Sequence, residues 1–288
     1  MKTLTTTFAR NTARQSRSLI SLLGIFAVIL LALTGCDTMS SPTGQSDPFA
    51  DTTLTSNVAA NSATLHAILV ADTEADAIGE TVRIDLDNMN ALMNAIAANT
   101  GLSLNKIVLA GSSATTANIQ QTINVLGAGP DDVILFYHAG HGGRLASTPT
   151  QWPDMYLHHD PQFIGLSLHD VFTQLKRKGS RLVLALSDAC NSRLDAPLPA
   201  SSSQGAALKG STAGFQKLFV ESRGAIIASG AIAGEFSYGT VEGGGLFTTQ
   251  FTKVLYQKGS DSNPTWTAVM DQATLRIADL QQPQYEIY

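Results

Sequence analysis

The sequence is poor in cysteine and in charge. Only two of its 288 residues are cysteine and 14% are charged, so neither a disulfide scaffold nor a charged disordered chain is expected. The net charge is −5 and no long basic tract occurs, which argues against a general nucleic-acid binder. The 44% of hydrophobic residues is instead typical of a globular protein.

Several catalytic motifs are also absent. No Gly-x-Ser-x-Gly elbow occurs, which argues against a serine hydrolase. Gly142-Gly143 lacks the flanking pattern of a phosphate-binding loop. One group of side chains could be drawn as a metal site, although no pair has an established zinc spacing: His138, His141, His158, His159 and Asp160. A metal-binding lipoprotein is therefore an alternative, while the main interpretation needs no metal or other cofactor.

The first 36 residues have the pattern of a bacterial secretion signal. A basic start precedes Leu19–Leu33, an apolar run interrupted only by Ser21. That run is short for a membrane-spanning helix and has the size of a signal-peptide core. It ends in Leu33-Thr34-Gly35-Cys36, which resembles the bacterial lipobox. The resemblance implies removal of residues 1–35 and lipidation of Cys36; an uncleaved anchor helix is the alternative.

Lipidation would place the protein in the cell envelope, anchored to a membrane and facing the periplasm. Asp37 resembles the signal that retains such lipoproteins in the inner membrane. Cleavage leaves 14 of the 18 basic residues and all 23 acidic residues, a net charge of −9. Residues 36–62 are polar without apolar periodicity, which predicts a flexible tether. The folded domain is expected at residues 63–288.

From residue 63 onward, short apolar runs alternate with helical patterns, as in parallel βαβ units. Strands are predicted at 65–70, 107–109, 133–137, 182–186 and 225–228. Helices are predicted at 82–99, after Thr115 or Thr116, after Ser167, around Phe247, and from Thr265 to about Leu280. The pattern favours one sheet with helices on both faces. Residues 192–214 are small and polar and predict a long loop.

Two of these strands lead into reactive side chains. The strand at 133–137 continues into His138-Ala139-Gly140-His141-Gly142, and the strand at 182–186 continues into Asp188-Ala189-Cys190. Parallel strands end at one edge of a sheet, so His141 and Cys190 are expected to lie close together. A cysteine beside a histidine can form a nucleophilic thiolate–imidazolium pair. A buried structural thiol and an uninvolved loop histidine are the alternative.

The segments DDVILFYHAGHGG and RLVLALSDACNS resemble the caspase and metacaspase group of cysteine peptidases. IIASGAIAGEFSYG and GGGLFTTQF are similar to the small-subunit half of that fold. The resemblance implies a three-layer αβα sandwich around a mostly parallel six-stranded sheet of the caspase-haemoglobinase type. Its parts would be a large-subunit-like region at 63–192, a linker loop at 192–214 and a small-subunit-like region at 215–288.

The resemblance also implies residue roles. Cys190 would be the nucleophile, His141 the general base and acid, and the backbone N–H groups of Gly142 and Cys190 the oxyanion hole. Asp188 stands where metacaspases that cleave after Arg or Lys have Asp, and where caspases that cleave after Asp have Gln. The expected substrates are therefore proteins or peptides with a basic P1 residue. Asp188 bonded only to loop backbone is the alternative.

Two positions depart from the family pattern. Ala139 replaces a Ser that many metacaspases have, and Asn191 follows the nucleophile where His, Arg or Gln is usual. The acidic calcium cluster of metacaspases has no clear counterpart, so calcium dependence stays open. The predicted function is an envelope-anchored cysteine endopeptidase; the alternative is an inactive caspase-fold lipoprotein acting as a binding or scaffold module.

Overall fold

The computed structural model describes residues 63–161, 164–193 and 212–288. The predicted signal sequence, Cys36 and the tether at 36–62 lie outside the described residues, as does most of the predicted linker loop. The domain boundaries at 35, 62, 192 and 214 therefore stay predictions. None of the helices in the described ranges combines the length and the apolar character that a membrane span needs.

The described residues form eleven strands. In chain order they are β1 (Thr64–Ala71), β2 (Ser103–Ala110), β3 (Val133–Ala139), β4 (His141–Gly143), β5 (Asp154–Tyr156), β6 (Leu166–Ser167), β7 (Leu182–Asp188), β8 (Gly224–Ser229), β9 (Gly239–Thr240), β10 (Gly244–Gly245) and β11 (Gln284–Ile287).

Six α-helices accompany these strands in the described ranges. They are α1 (Gly79–Thr100), α2 (Thr116–Val125), α3 (Leu168–Lys176), α4 (Thr212–Phe215), α5 (Leu246–Gly259) and α6 (Trp266–Ala273). A short 3₁₀ turn covers Gly111–Ser113, and α4 continues into a π-helical segment at Gln216–Glu221.

The central sheet has six strands in the order β11-β8-β7-β3-β1-β2. Five of them run parallel and β11 alone is antiparallel. The register pairs Ala71 with Ala139 and Ala139 with Asp188. Three neighbouring strands therefore end level with one another, which brings the residues that follow β1, β3 and β7 to one edge of the sheet. The predicted mostly parallel six-stranded α/β sandwich is confirmed.

Successive side chains of the parallel strands point to opposite faces, and both faces are buried. Leu135 and Tyr137 face a cluster that includes α1, α5 and α6. Ile134 and Phe136 face a second cluster that includes α2, α3 and Trp152. β3 and β7 are buried at every position because they are covered on both sides, whereas the edge strand β2 keeps exposed and polar residues.

Most helices begin and end close to where the sequence places them. α1 is slightly longer than the predicted 82–99 and stops before Gly101, whose φ of 71° is left-handed. Thr115, rather than Thr116, caps α2 by accepting the Asn118 N–H at 3.2 Å. Ser167 caps α3 by accepting the Asp170 N–H at 3.3 Å.

The last predicted helix is wrong in its length. α6 stops at Ala273 rather than near Leu280, and a helix as far as Leu280 is excluded because Ala278 and Asp279 have φ angles of 50° and 57°. β11 follows this turn and was not located by its sequence pattern. Its four residues pair with β8 at the edge of the sheet, where neither long apolar runs nor strict alternation are required.

Candidate active site

The predicted dyad lies at the carboxyl edge of β3 and β7. His141 follows Gly140 directly after β3, and Cys190 follows Ala189 directly after β7. The Gly140 N–H donates to the Asp188 carbonyl at 3.4 Å, which ties the two strand ends together. His141 and Cys190 line one cavity of about 710 Å³. The two residues therefore face the same cavity, while their catalytic roles stay predictions.

Gly142 lies against the segment that carries the cysteine. A Cβ on Gly142 would be 2.6 Å from both the Ala189 Cβ and the Cys190 carbonyl oxygen. Only glycine therefore fits here, because the backbone of the histidine strand touches the backbone of the cysteine loop. This contact places the proposed oxyanion-hole residues beside one another.

The thiol of Cys190 is largely buried and is held by Ser237. The Ser237 N–H donates to Cys190 Sγ at 3.4 Å, and Sγ lies 3.6 Å from the Ser237 carbonyl oxygen. Burial raises the pKa of Cys190, and the charge of Asp188 raises it further. Within the described part of the chain, no hydrogen bond joins the exposed His141 ring to this thiol. The resting arrangement is therefore a neutral thiol, which needs a stabilised imidazolium to become a thiolate.

Asp188 lies on the floor of the same cavity with 7% of its surface exposed. Its Oδ1 accepts the Ser237 hydroxyl at 2.6 Å, and its Oδ2 accepts both the N–H and the hydroxyl of Thr248 at 2.8 Å. Burial raises the pKa of Asp188, while these hydrogen bonds lower it. The carboxylate is thus fixed in one orientation beside the candidate nucleophile.

A second carboxylate, Asp85 of α1, lines the same cavity and was not identified from the sequence. It is 2% exposed and accepts the Gly245 N–H at 2.7 Å. A side chain on Gly245 would collide with Asp188 and come within 2.9 Å of Asp85. Burial and the nearby charge of Asp188 raise the pKa of Asp85 well above its ordinary range, so Asp85 is the more readily protonated of the two.

One feature of the sequence could have identified Asp85 as a candidate site residue. The residue lies three positions after Val82 and four before Met89, on the buried stripe of α1. An acidic residue on an apolar stripe requires either a partner or a function. Among the described residues that line the cavity there is neither lysine nor arginine. Two buried acidic side chains therefore face the cavity without a lysine or arginine partner among its described lining residues.

One wall of the cavity is the segment from Phe236 to Gly239. Gln281 holds it in place: the side chain accepts the Tyr238 N–H at 2.7 Å and donates to the Ser237 hydroxyl at 3.1 Å. Gln281 is fully buried and follows the left-handed turn after α6. The wall beside Cys190 and Asp188 therefore depends on a residue far along the chain that sequence reasoning did not single out.

The two departures from the family pattern have structural explanations. Ala139 is buried and pairs with Asp188 in the sheet, and Ser237 and Thr248 supply the hydroxyl donors to that carboxylate. Asn191 is fully buried and donates to the carbonyls of Gln151 and Ala231 at 2.8 Å and 3.2 Å. Asn191 therefore anchors the loop that follows Cys190.

Three members of the alternative metal site have other partners. His138 Nδ1 bonds the Ser187 hydroxyl at 2.9 Å, His159 pairs with Glu74 at 2.7 Å, and Asp160 accepts the Thr116 N–H. In the described ranges, no group of three or more His, Cys, Asp or Glu could hold a metal ion. The structure thus gives the metal-binding alternative no site there.

A cysteine and a histidine at neighbouring ends of a mostly parallel sheet, over an acidic cavity, are the arrangement of a caspase-like cysteine peptidase domain. Residues 80–287 match the family model of the caspase domain. Among solved structures, protein GSU0716 from Geobacter sulfurreducens is similar, with a TM-score of 0.48 and 18% identity, covering 78% of this chain and 93% of that chain. No curated protein matches the chain. The chain belongs to the caspase domain family, a family of cysteine peptidases.

Proposed function

We propose that the protein is a cysteine endopeptidase that cleaves proteins or peptides after Arg or Lys. The observation that carries this proposal is the pair of buried carboxylates, Asp85 and Asp188, facing a cavity that also exposes Cys190. Burying a carboxylate without a cation is costly, and a substrate guanidinium or ammonium group supplies that cation. Charge-assisted hydrogen bonds of this kind are worth roughly 1.5–3 kcal/mol each.

In the proposed reaction, His141 takes the proton of the Cys190 thiol. The Cys190 sulfur then attacks the peptide carbonyl carbon, a carbon–sulfur bond forms, and the carbonyl electrons move to oxygen. The N–H groups of Gly142 and Cys190 would stabilise that oxyanion. Collapse breaks the carbon–nitrogen bond as His141 gives its proton to the leaving amine, and water then hydrolyses the thioester. These proposed steps require no cofactor, and the assay below is run with and without calcium because calcium dependence stays open.

The inactive scaffold is retained as a second candidate because of Cys190 itself. Its sulfur is bonded to Ser237 and burial raises its pKa. A scaffold with a closed pocket would keep this arrangement permanently. Thiol reactivity separates the two functions. If the protein is an enzyme, iodoacetamide should alkylate Cys190 quickly near neutral pH, and the rate of alkylation should be lower in His141→Ala. An inert thiol in both proteins would favour the scaffold.

The assay for the proposed function uses the full chain in detergent and fluorogenic peptides ending in Arg, Lys or Asp, with and without calcium. Cleavage after Arg or Lys is expected, and Cys190→Ala should lower it by about 10⁴-fold or more. Cleavage only after Asp would contradict the proposed pocket. Cleavage that persists in Cys190→Ala would contradict the proposed nucleophile.

We also propose that the protein is lipidated at Cys36 and held at the periplasmic face of a membrane, with the inner membrane favoured by Asp37. What supports this proposal is the lipobox-like sequence after the apolar run. Metabolic labelling with a palmitate analogue should mark the parent chain and leave Cys36→Ala unlabelled. Equal labelling of both chains would contradict the proposed lipid site.

A further inference from the structure

One residue of the cavity wall contacts both the candidate nucleophile and the candidate P1 carboxylate. The Ser237 hydroxyl donates to Asp188 Oδ1 at 2.6 Å, and the Ser237 N–H donates to Cys190 Sγ at 3.4 Å. The Ser237 carbonyl oxygen lies 3.6 Å from the same sulfur. The side chain of Ser237 is therefore bonded to one functional group of the site, and its backbone is bonded to the other.

The hydroxyl of Ser237 is fixed from two sides. It accepts from Gln281 Nε2 at 3.1 Å while it donates to Asp188. Gln281 is fully buried and also donates to the Gly230 carbonyl at 2.8 Å. A Cβ on Gly230 would lie 2.6 Å from Ser237 Oγ and 2.8 Å from Asp188 Oδ1. A donor, an acceptor and close packing thus hold the hydroxyl in place.

The backbone next to this contact is paired as well. The Asn191 N–H donates to the Glu235 carbonyl at 3.0 Å, and the Gly234 N–H donates to the Asn191 carbonyl at 2.9 Å. The loop that carries the cysteine and the segment that leads into the cavity wall therefore lie side by side. This pairing brings the backbone of Ser237 to the sulfur of Cys190.

The two backbone contacts of Ser237 respond differently when the thiol loses its proton. A thiol can donate to the Ser237 carbonyl oxygen, whereas a thiolate can only accept hydrogen bonds. A hydrogen bond from an N–H to an anion is stronger than one to a neutral acceptor. Burial raises the pKa of Cys190, and the bond from the Ser237 N–H opposes that rise. The carbonyl contact therefore favours the resting thiol, and the N–H contact favours the thiolate.

We propose that Ser237 is a positioning residue for the nucleophile. Its fixed hydroxyl keeps its backbone N–H against Cys190 Sγ, where that N–H stabilises the thiolate. This inference rests on the proposed peptidase function, because a nucleophilic cysteine needs its thiolate form. In that reaction His141 takes the proton, and the Ser237 N–H offsets the negative charge that stays on the sulfur. One residue would thus orient the P1 carboxylate and support the nucleophile.

The test follows alkylation of Cys190 by iodoacetamide against pH, with the full chain in detergent. Mass spectrometry reads the modification on the tryptic peptide 182–193, which contains Cys190 and excludes Cys36. Ser237→Ala keeps the backbone N–H but removes the hydroxyl that holds it. The pKa of Cys190 should rise by about one unit, as expected for loss of a hydrogen bond to the charged form. Ser237→Thr should restore the parent value.

Thr248→Val is the matched control. The Thr248 hydroxyl also donates to Asp188, at 2.8 Å, but within the described ranges it has no hydrogen bond to the Cys190 sulfur. Loss of a donor destabilises the charged form of Asp188, and that charge raises the Cys190 pKa. Thr248→Val should therefore not raise the Cys190 pKa. An equal rise in both variants, no rise in Ser237→Ala, or a parent thiol that reacts at no pH would overturn the proposal.

A second measurement uses the parent chain and covers the case in which Ser237→Ala does not fold. In protein labelled with ¹⁵N-serine, the Ser237 amide proton should move to lower field over the pH range in which Cys190 ionises, because its hydrogen bond strengthens. The same shift should be missing in Cys190→Ala. A Ser237 amide that does not follow the Cys190 titration would overturn the proposal.

These titrations do not depend on cleavage. If no peptide is cleaved while Ser237→Ala raises the Cys190 pKa, the peptidase proposal falls and the positioning role stands. If cleavage occurs while that pKa stays fixed, the opposite holds. In the cleaving enzyme, Ser237→Ala should lower kcat by about tenfold, and Ser237→Thr should restore it. A change confined to KM would show that Ser237 serves only to orient Asp188, and would overturn the proposal.

Discussion

Two aspartates at the carboxyl edge of the sheet are buried in different ways. Asp188 accepts three hydrogen bonds from Ser237 and Thr248, so its orientation is fixed before any ligand arrives. Asp72, on the opposite face, accepts one hydrogen bond and leaves Oδ1 open. A fully bonded carboxylate that lines the cavity is suited to hold a substrate charge in place, whereas Asp72 is not among the described residues that line that cavity.

The largest effect is expected when Asp188 loses its charge. Asp188→Asn should lower kcat/KM for peptides ending in Arg by about 10- to 100-fold, because a charge-assisted bond to the P1 side chain is lost. Asp85→Asn should act in the same direction. Initial rates with Arg and Lys peptides provide the measurement.

The control for Asp85→Asn is Asp87→Asn, an exposed carboxylate two residues further along α1. It should leave kcat/KM nearly unchanged. Equal losses in both variants would mean that general negative charge, and not the buried pair, attracts the substrate.

A smaller effect concerns stability. The pKa of Asp85 in the folded state is raised well above 3.8, so the folded protein favours the protonated carboxyl group. The resulting contribution to the free energy of unfolding is complete below pH 3.8. It is lost as the pH rises through the raised pKa. Asp85→Asn should therefore be more stable than the parent chain at pH 8, and each kcal/mol gained in unfolding free energy should raise its Tm by about 2–4 °C.

Thermal unfolding of both proteins at pH 5 and pH 8 measures this difference. The difference in Tm between the two proteins should be larger at pH 8 than at pH 5. A parent chain whose Tm rises from pH 5 to pH 8 relative to Asp85→Asn would contradict the raised pKa.

The smallest effect tests how Asp188 is held. Thr248→Val removes the hydroxyl that donates to Asp188 Oδ2 while the backbone N–H remains. We expect a loss of about 1–3 kcal/mol in unfolding free energy, because the buried Tyr137 hydroxyl also loses its partner. We also expect a further rise in the Asp188 pKa, which shifts the acid limb of the kcat/KM profile to higher pH. Thr252→Val, whose hydroxyl bonds only backbone carbonyls of α5, should not shift that limb.

The sequence predicted the main strands, and the position of His141 and Cys190 at neighbouring strand ends, because both depend on local signals. The buried strands are continuous apolar runs, and His141 and Cys190 stand directly after two of them. Asp188 could be identified from the sequence for the same reason. Their mutual placement followed from the rule that parallel strands end at one edge.

Other parts depend on contacts between distant residues and were not predictable from local pattern. Gln281 acquires its role by bonding the Ser237–Tyr238 wall after a turn that no periodicity indicates. The thiol of Cys190 has a raised pKa because of burial, which sequence spacing does not report. The unpaired Oδ1 of Asp72 is likewise a property of packing alone.

The most direct test of the central claim compares Arg with citrulline at P1, since citrulline has nearly the same shape and no charge. The account predicts that the full chain cleaves the Arg peptide about 10- to 100-fold more efficiently than the citrulline peptide, and that Asp188→Asn and Asp85→Asn remove most of that preference. Equal cleavage of the two peptides, or a preference that survives in both variants, would contradict the claim that the buried carboxylate pair recognises the substrate.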